Sequence, residues 1–105
     1  MTRAGTVYGQ GLYALAKEEQ LTEEILQQLQ VLSDCFSANG EYLKLLSSKN
    51  IPKQERMDVL EDAFAKKAHP YVLNFLKLLT EKGYIRQFQD AYKAYLEQYR
   101  QDHGI

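Results

Sequence analysis

The chain has 105 residues, of which 45% are hydrophobic and 26% are charged, and its formal net charge is −1. This length allows one domain with one core, and the single cysteine excludes an internal disulfide framework. The near-neutral charge, with lysines and arginines scattered along the chain, argues against nucleic acid as a partner. No run approaches the ~20 apolar residues that a membrane span requires, so we expect no direct membrane insertion.

The first predicted helix covers about Thr2 to Glu19, with Thr2 or Thr6 as candidate N-caps. Helical spacing predicts a core-facing stripe made of Tyr8, Leu12, Leu15 and Ala16. A second face carries Ala4, Val7, Gly11 and Ala14. Either this helix packs between other helices of the domain, or the small residues of this face let a helix from another protein approach closely. Because glycine inside a helix costs ~1 kcal/mol relative to alanine, Gly9 and Gly11 suggest a close packing contact or tolerated drift.

Three more helices are predicted before residue 69. Thr22 is a good N-cap for the second helix, which ends near Asn39-Gly40. Its apolar stripe repeats in steps of four, three and four, at Ile25, Leu29, Leu32 and Phe36. A short third helix covers about Glu41 to Ser47. After a loop that ends at Pro52, the fourth helix is marked by Met57, Leu60 and Phe64.

The last two predicted helices contain the widest apolar surface. His69-Pro70 marks the start of the fifth helix, because the residue before proline is biased out of the helical region. Between Asn74 and Gly83, more than half of the helix circumference is apolar, at Phe75, Leu76, Leu78 and Leu79. That is wider than a one-sided surface helix needs, so this helix must be covered on two sides. Gly83 is the expected left-handed residue at its end.

The sixth predicted helix, about Tyr84 to Asp102, carries a heptad-like seam of Ile85, Phe88, Tyr92, Tyr95 and Tyr99. No strand-like alternation or hairpin signal occurs anywhere in the sequence. The sequence therefore predicts an all-α fold, a compact bundle of five or six helices, of which we favour six.

No pattern typical of catalysis or metal binding is written in the sequence. His69 and His103 lie far apart, and neither has a second His or Cys at ligand spacing. The acidic pairs fall on predicted solvated faces or in first turns, where they favour solubility and complement the helix dipole. Gly9 and Gly11 lie in a helical pattern without a preceding strand, which excludes a phosphate-binding loop. We predict a non-catalytic domain with no cofactor and no metal.

Three segments carry a family pattern. The segment VYGQGLYALA matches the pattern at Tyr8, Leu12, Tyr13 and Ala16, and it has Gly9 and Gly11 where the pattern usually has alanines. LLSSKNIPKQERMDVLEDAF has the leucine-serine loop and charged helix, with Lys49 in place of the usual proline. NFLKLLTEKGYI is the most specific segment, with Tyr84 in place of an arginine. In this order, and across essentially the whole chain, they resemble the delta subunit family of the F-type ATP synthase, which includes the mitochondrial oligomycin-sensitivity-conferring protein.

The resemblance implies the N-terminal six-helix domain of that family over residues 1–105, without the C-terminal part that contacts the stalk b subunits. Such a domain joins the catalytic head to the peripheral stalk as part of the stator. It binds the N-terminal helix of an alpha subunit in a groove between the first and fifth helices. The implied location is cytoplasmic, peripheral on the inner face of a bacterial cell membrane.

The same resemblance places the partner-binding residues on two walls, with Val7, Gly11 and Ala14 on the first helix and Asn74, Phe75 and Leu78 on the fifth. Leu78 is the expected anchor and Asn74 the expected polar contact, while Phe75 suits the core equally well. The physics of the sequence agrees, because a helix laid in a groove needs small residues for close approach and larger apolar ones as anchors.

Two other classes of function stay open from the residues. One is a general helical adaptor that binds a different amphipathic helix and ignores an alpha-subunit peptide. The other is an RNA-binding helical domain of the transcription-antitermination type, which requires a basic face that a net charge of −1 does not favour.

Overall fold

Six α-helices and one turn of 3₁₀ helix make up the structure, a computed structural model that describes residues 3–104. In chain order they are α1 (Arg3–Glu18), α2 (Thr22–Ala38), α3 (Gly40–Ser47), α4 (Lys53–Phe64), α5 (Pro70–Lys82), the 3₁₀ turn (Ile85–Gln87) and α6 (Phe88–His103). No strand occurs within residues 3–104. The predicted all-α bundle of six helices is confirmed.

The core is centred on the 3₁₀ turn and α6. Three members of the predicted seam are fully buried, namely Ile85, Phe88 and Tyr95, and two pack half-buried against the core, namely Tyr92 and Tyr99. The ring of Phe36 from α2 meets that of Phe88 edge-on, with the centroids 5.0 Å apart. Full burial of one such side chain contributes roughly 1.5–3 kcal/mol, so each of the three buried members of the seam stabilises the bundle.

The last predicted helix begins later than expected. The sequence predicts one helix from Tyr84, but the chain first makes the 3₁₀ turn, in which the Gln87 backbone N–H donates to the Tyr84 carbonyl at 2.8 Å. A 3₁₀ turn is a frequent connector at a helix terminus. It places Ile85 in the core before α6 starts at Phe88.

Of the three N-caps predicted near the N-terminal end of the chain, two are wrong and one lies outside the described residues. Thr6 lies inside α1 and is not its N-cap, while Thr2 lies outside the described residues. The N-cap of α2 is Leu21, and Thr22 is already helical. Gln20 takes a left-handed φ of 60° at the end of α1, and the Leu21 N–H donates to the Ala16 carbonyl at 2.8 Å. The chain therefore turns directly into α2, which buries its whole predicted stripe of Ile25, Leu29, Leu32 and Phe36.

Both ends of α5 are fixed as the sequence predicts. His69 is the N-cap, and its Nδ1 accepts a hydrogen bond from the Tyr71 backbone N–H at 3.0 Å. Pro70 follows in the first turn, where its missing N–H costs nothing. Gly83 ends the helix in the left-handed region with φ 81°, and Lys82 occupies the last turn.

α1 packs along α6 at a glycine. Gly9 is buried, and a Cβ built on it would collide with the backbone carbonyl of Ala91 in α6. The close packing contact that the sequence suggested for the two glycines is therefore present at Gly9. At Gly11 a Cβ would meet nothing within 4 Å, so this residue is not needed for packing inside the domain.

The core-facing stripe of α1 is rotated from the predicted one. Leu12 and Ala16 are buried as predicted, but Leu15 is 37% exposed, which corrects its assignment to the core. Tyr13 is buried instead, with its ring 5.1 Å from that of Tyr95 in an edge-to-face contact. The close approach at Gly9 turns the α6-facing side of α1 inward, and Leu15 is left at the margin that faces α5.

Candidate functional site

An open apolar groove of about 520 Å³ lies between α1 and α5. We call it the α1–α5 groove and define it by its lining residues: Val7, Tyr8, Gly11, Leu12 and Leu15 from α1, and Tyr71, Asn74, Phe75 and Leu78 from α5. α1 makes most of its tertiary contacts with α6 and few with α5. The two helices therefore do not close on each other, which leaves the groove open.

The α1 wall combines exposed apolar side chains with a gap. Val7 is 55% exposed and Leu15 is 37% exposed, whereas Leu12 is buried at the base. Gly11 is exposed between them and has no side chain to fill the space. A folded monomer gains nothing from such exposed apolar side chains, and side by side in a concavity they are typical of a binding surface.

The α5 wall has one apolar side chain at the surface and one below it. Leu78 is 37% exposed. Phe75 is only 6% exposed, and it belongs both to the core and to the lining of the groove. Asn74 is exposed and places an amide on an otherwise apolar wall. Tyr71 lies in the first turn of α5, which the His69 cap holds in place.

Five of the six residues predicted to bind a partner line this groove: Val7, Gly11, Asn74, Phe75 and Leu78. The sixth, Ala14, is exposed on α1 but does not line it. The second face of α1 is therefore not tucked between other helices, since Val7, Gly11 and Ala14 are all exposed.

The sequence missed four lining residues: Tyr8, Leu12, Leu15 and Tyr71. Tyr8, Leu12 and Leu15 were assigned to the core because they share one helical stripe, and this stripe turns out to run along the edge between core and groove. For Tyr71 the available signal is its place one residue after Pro70, on the helix that was predicted to need cover on two sides.

The groove lining contains no Lys, Arg, Asp or Glu. Two of the three charged residues of α1, Lys17 and Glu18, lie at its C-terminal end. There Lys17 Nζ lies 2.9 Å from Asp102 Oδ2, and the Tyr13 hydroxyl donates to the same oxygen at 2.7 Å. Burial, and then the hydrogen bond to Asp102, raise the pKa of Tyr13 to about 12. The hydrogen bonds from Tyr13 and Lys17 hold the pKa of Asp102 below its usual value. The groove can therefore accept apolar surface without desolvating a charge.

A second open cavity, of about 360 Å³, shares no lining residue with the groove. Its lining comes mainly from α2 and from the segment that follows α4: Gln27, Gln28, Val31, Leu32, Phe64, Lys67 and Ala68. Val31 is 67% exposed there, more than the exposed aliphatic side chains of the α1–α5 groove, namely Val7, Leu15 and Leu78. We call it the α2–α4 cavity.

The described residues contain no group of three or more His, Cys, Asp or Glu side chains arranged to hold a metal ion. Within the same range, no helix combines the length and the hydropathy needed to cross a membrane.

Comparison with known proteins adds to this geometry. The family model described as ATP synthase delta (OSCP) subunit matches residues 5–105. The ATP synthase subunit delta of Prochlorococcus marinus strain MIT 9301 is 29% identical over 100 residues, covering 95% of this chain and 56% of the relative. The protein of the same name from Clostridioides difficile strain 630 is 30% identical over 91 residues, covering 86% of this chain and 50% of the relative.

The chain thus spans about half the length of the curated relatives it matches. The family model, by contrast, covers nearly the whole chain. The match begins in the first turn of α1 and includes all of α5, so both walls of the groove lie inside it. The chain belongs to the ATP synthase delta (OSCP) subunit family.

Proposed function

We propose that this chain is a non-catalytic stator domain of an F-type ATP synthase, which joins the catalytic head to the peripheral stalk. Its partner is the N-terminal helix of an alpha subunit, bound in the α1–α5 groove. Contact with the stalk b subunits belongs to the C-terminal part that such subunits have beyond this region. The domain works in the cytoplasm, peripheral on the inner face of a bacterial membrane as part of the complex.

The observation that carries the proposal is the shape and chemistry of the α1–α5 groove. Its lining is apolar apart from Asn74 and the hydroxyl-bearing rings, and it has exposed aliphatic side chains on both walls. An amphipathic helix binds such a groove by laying its apolar face along it, with side chains at i, i+3, i+4 and i+7 as anchors. The gap at Gly11 lets the backbone of that helix come close to α1.

The mechanical role explains why the contact is apolar. A stator must hold the head against the torque of rotation, so its interface needs slow dissociation more than reactive side chains. Affinity differences among related interfaces arise mostly from dissociation rates, and a few well-buried anchors dominate the binding energy. We assign the anchor role to Leu78 and Val7, apolar lining residues of opposite walls that are 37% and 55% exposed.

A titration followed by heteronuclear NMR tests the proposal. The titrant is a synthetic peptide of the first ~20 residues of the cognate alpha subunit, which as a helix is ~30 Å long. We expect saturable shifts confined to α1 and α5. A well-folded domain that does not bind the peptide would contradict the proposal and favour a general helical adaptor for another amphipathic helix.

Charge substitutions in the groove locate the site. A carboxylate in a contact that excludes water is left unpaired, so Leu78→Asp and Gly11→Asp should each weaken peptide binding by about 3 kcal/mol, or a hundredfold in Kd. Both residues are exposed, so circular dichroism should show an intact fold.

Val31→Asp is the matched control, because it places the same charge on a more exposed apolar residue in the α2–α4 cavity. It should leave the affinity unchanged. If Val31→Asp weakened binding and Leu78→Asp did not, the partner would sit in the α2–α4 cavity and the groove assignment would be wrong.

A further inference from the structure

The connection between α5 and α6 contacts the first turns of α1 at two points. The Gly5 backbone N–H donates to Gln87 Oε1 at 3.0 Å, across 82 positions in sequence. The rings of Tyr8 and Tyr84 are in tilted contact, with centroids 5.8 Å apart. Neither Tyr84 nor Gln87 lines the groove, but both hold the part of α1 that does.

The Gly5 backbone N–H has few other acceptors within reach, so its hydrogen bond to Gln87 matters for α1. Gly5 is the third residue of α1, and the first N–H groups of a helix have no acceptor within it. Gly5 is also buried, so its N–H has no free access to water. A buried donor without a partner is destabilising, because no hydrogen bond offsets the loss of its contact with water. Gln87 is therefore a cap supplied to α1 from the far end of the chain.

The ring contact acts on the groove directly. Tyr8 is a lining residue, and Tyr84 supports its ring from the side of the connection. The connection is itself fixed to the end of α5, since the Tyr84 backbone N–H donates to the Leu79 carbonyl at 2.7 Å. The N-terminal half of α1 is thus held relative to α5, the opposite wall, although α1 and α5 make few direct contacts.

We infer that Gln87 is a positioning residue for the α1–α5 groove, supported by Tyr84: it sets the separation of the two walls before a partner arrives. This inference rests on the proposed function for its binding consequence, but its structural part concerns the free domain. If α1 is already held in place in the free domain, binding does not have to order it. The binding-competent conformation of the groove is then the main conformation of the free domain.

Three variants test the inference. Gln87→Ala removes the acceptor, and Gln87→Glu keeps it and adds a negative charge, which a helix N-terminus favours. Gln89→Ala is the matched control, because Gln89 makes its hydrogen bonds to Ser33 and Ser37 of α2, on another side of α6.

The first measurement is hydrogen exchange of the Gly5 amide in the free domain. One net hydrogen bond corresponds to about a fivefold change in an opening equilibrium, so Gln87→Ala should speed exchange about fivefold. Gln87→Glu should restore protection, and Gln89→Ala should not change it. An unchanged rate in Gln87→Ala would overturn the inference.

The second measurement reports the separation of the walls without any ligand. A nitroxide attached at Lys82→Cys, in a Cys35→Ser background, broadens nearby amide signals of α1 according to their distance. In Gln87→Ala the broadening at Val7 and Gly11 should fall, while Gln89→Ala should match the wild type. Faster exchange at Gly5 with unchanged broadening would mean a local cap with no effect on the groove, and would also overturn the inference.

The third measurement is the affinity for the alpha-subunit peptide. Gln87→Ala should bind about two- to fivefold more weakly, with Gln87→Glu close to wild type, because only the competent fraction of the domain binds. Equal affinity of Gln87→Ala and wild type would contradict the positioning role. If the wild type itself did not bind, the proposed function would fail, and the exchange and broadening data would still decide the inference.

Discussion

The two long sides of α1 use glycine for opposite purposes. On the side that faces α6, Gly9 is buried and lets the backbones of the two helices come into contact at Ala91. On the side that faces α5, Gly11 is exposed, and a side chain there would meet nothing inside the domain. The side that faces α6 is packed, whereas the side that faces α5 lines an open groove. The same residue type two positions apart therefore marks a contact within the domain in one case and open space in the α1–α5 groove in the other.

We expect the largest effect on stability at Gly9, on the side of α1 that packs against α6. Gly9→Ala should destabilise the domain by about 2–3 kcal/mol, because the new methyl group meets a backbone carbonyl that can move only with α6. The gain of ~1 kcal/mol in helix propensity is not enough to compensate. Urea unfolding of the variant and the wild type measures the difference. Equal or higher stability would mean that the contact at Ala91 relaxes easily.

The same substitution on the open side should act in the other direction. Gly11→Ala should stabilise the free domain by about 0.5–1 kcal/mol, since only the propensity term remains. It should also weaken binding of the alpha-subunit peptide, because its methyl group enters the groove. Unfolding and titration on one sample measure both effects. Tighter peptide binding would contradict the close approach proposed at Gly11.

The smallest effect is expected at the C-terminal end of α1, where Tyr13 bonds Asp102. Tyr13→Phe keeps the buried ring and removes the hydroxyl, so it should destabilise the domain by about 0.5 kcal/mol, at the low end for a hydrogen bond. Denaturant unfolding at neutral pH measures this loss. A stabilised variant would contradict the inferred contribution of the hydroxyl.

The stability difference between wild type and Tyr13→Phe should depend on pH. The pKa of Asp102 is lowered in the folded state, first by the Tyr13 hydrogen bond. The stabilisation from ionised Asp102 is therefore present above its unfolded-state pKa of 3.8 and is lost as pH falls through its folded-state pKa. The stability difference between wild type and Tyr13→Phe should therefore become smaller in acid. The pKa of Tyr13 is raised from 10.0 to about 12, so wild type should also lose stability as pH rises between these values, and the variant should not share that loss. Unfolding at a series of pH values measures both limbs.

Local patterns in the sequence were enough to predict the helices and several of their ends. The stripe of α2, the proline start of α5 and the glycine at its end depend on residues that are neighbours in the chain, so periodicity and capping rules apply to them directly. The N-cap of α2 was wrong because a left-handed Gln20 brings the chain into that helix one residue early.

The orientation of α1 was beyond local patterns. Leu15 and Tyr13 have equal claim to the core on apolar character, and the choice between them is made by α6, more than 70 residues away in the chain. Likewise, nothing in the sequence around Gly9 and Gly11 tells which one meets a backbone. Five of the six predicted groove residues were placed on the lining because the family resemblance supplied the pairing of the first and fifth helices.

The contacts that hold α1 also fix when the groove can exist during synthesis. Gly5 bonds residue 87, Gly9 packs on residue 91 and Tyr13 bonds residue 102, so α1 is synthesised well before the residues that hold it in place. Closing a loop of this length costs entropy that only those late contacts can offset. A nascent chain that has completed α5 but not α6 has one wall of the groove without the other. A groove with both walls in place is thereby restricted to chains whose α6 has been made.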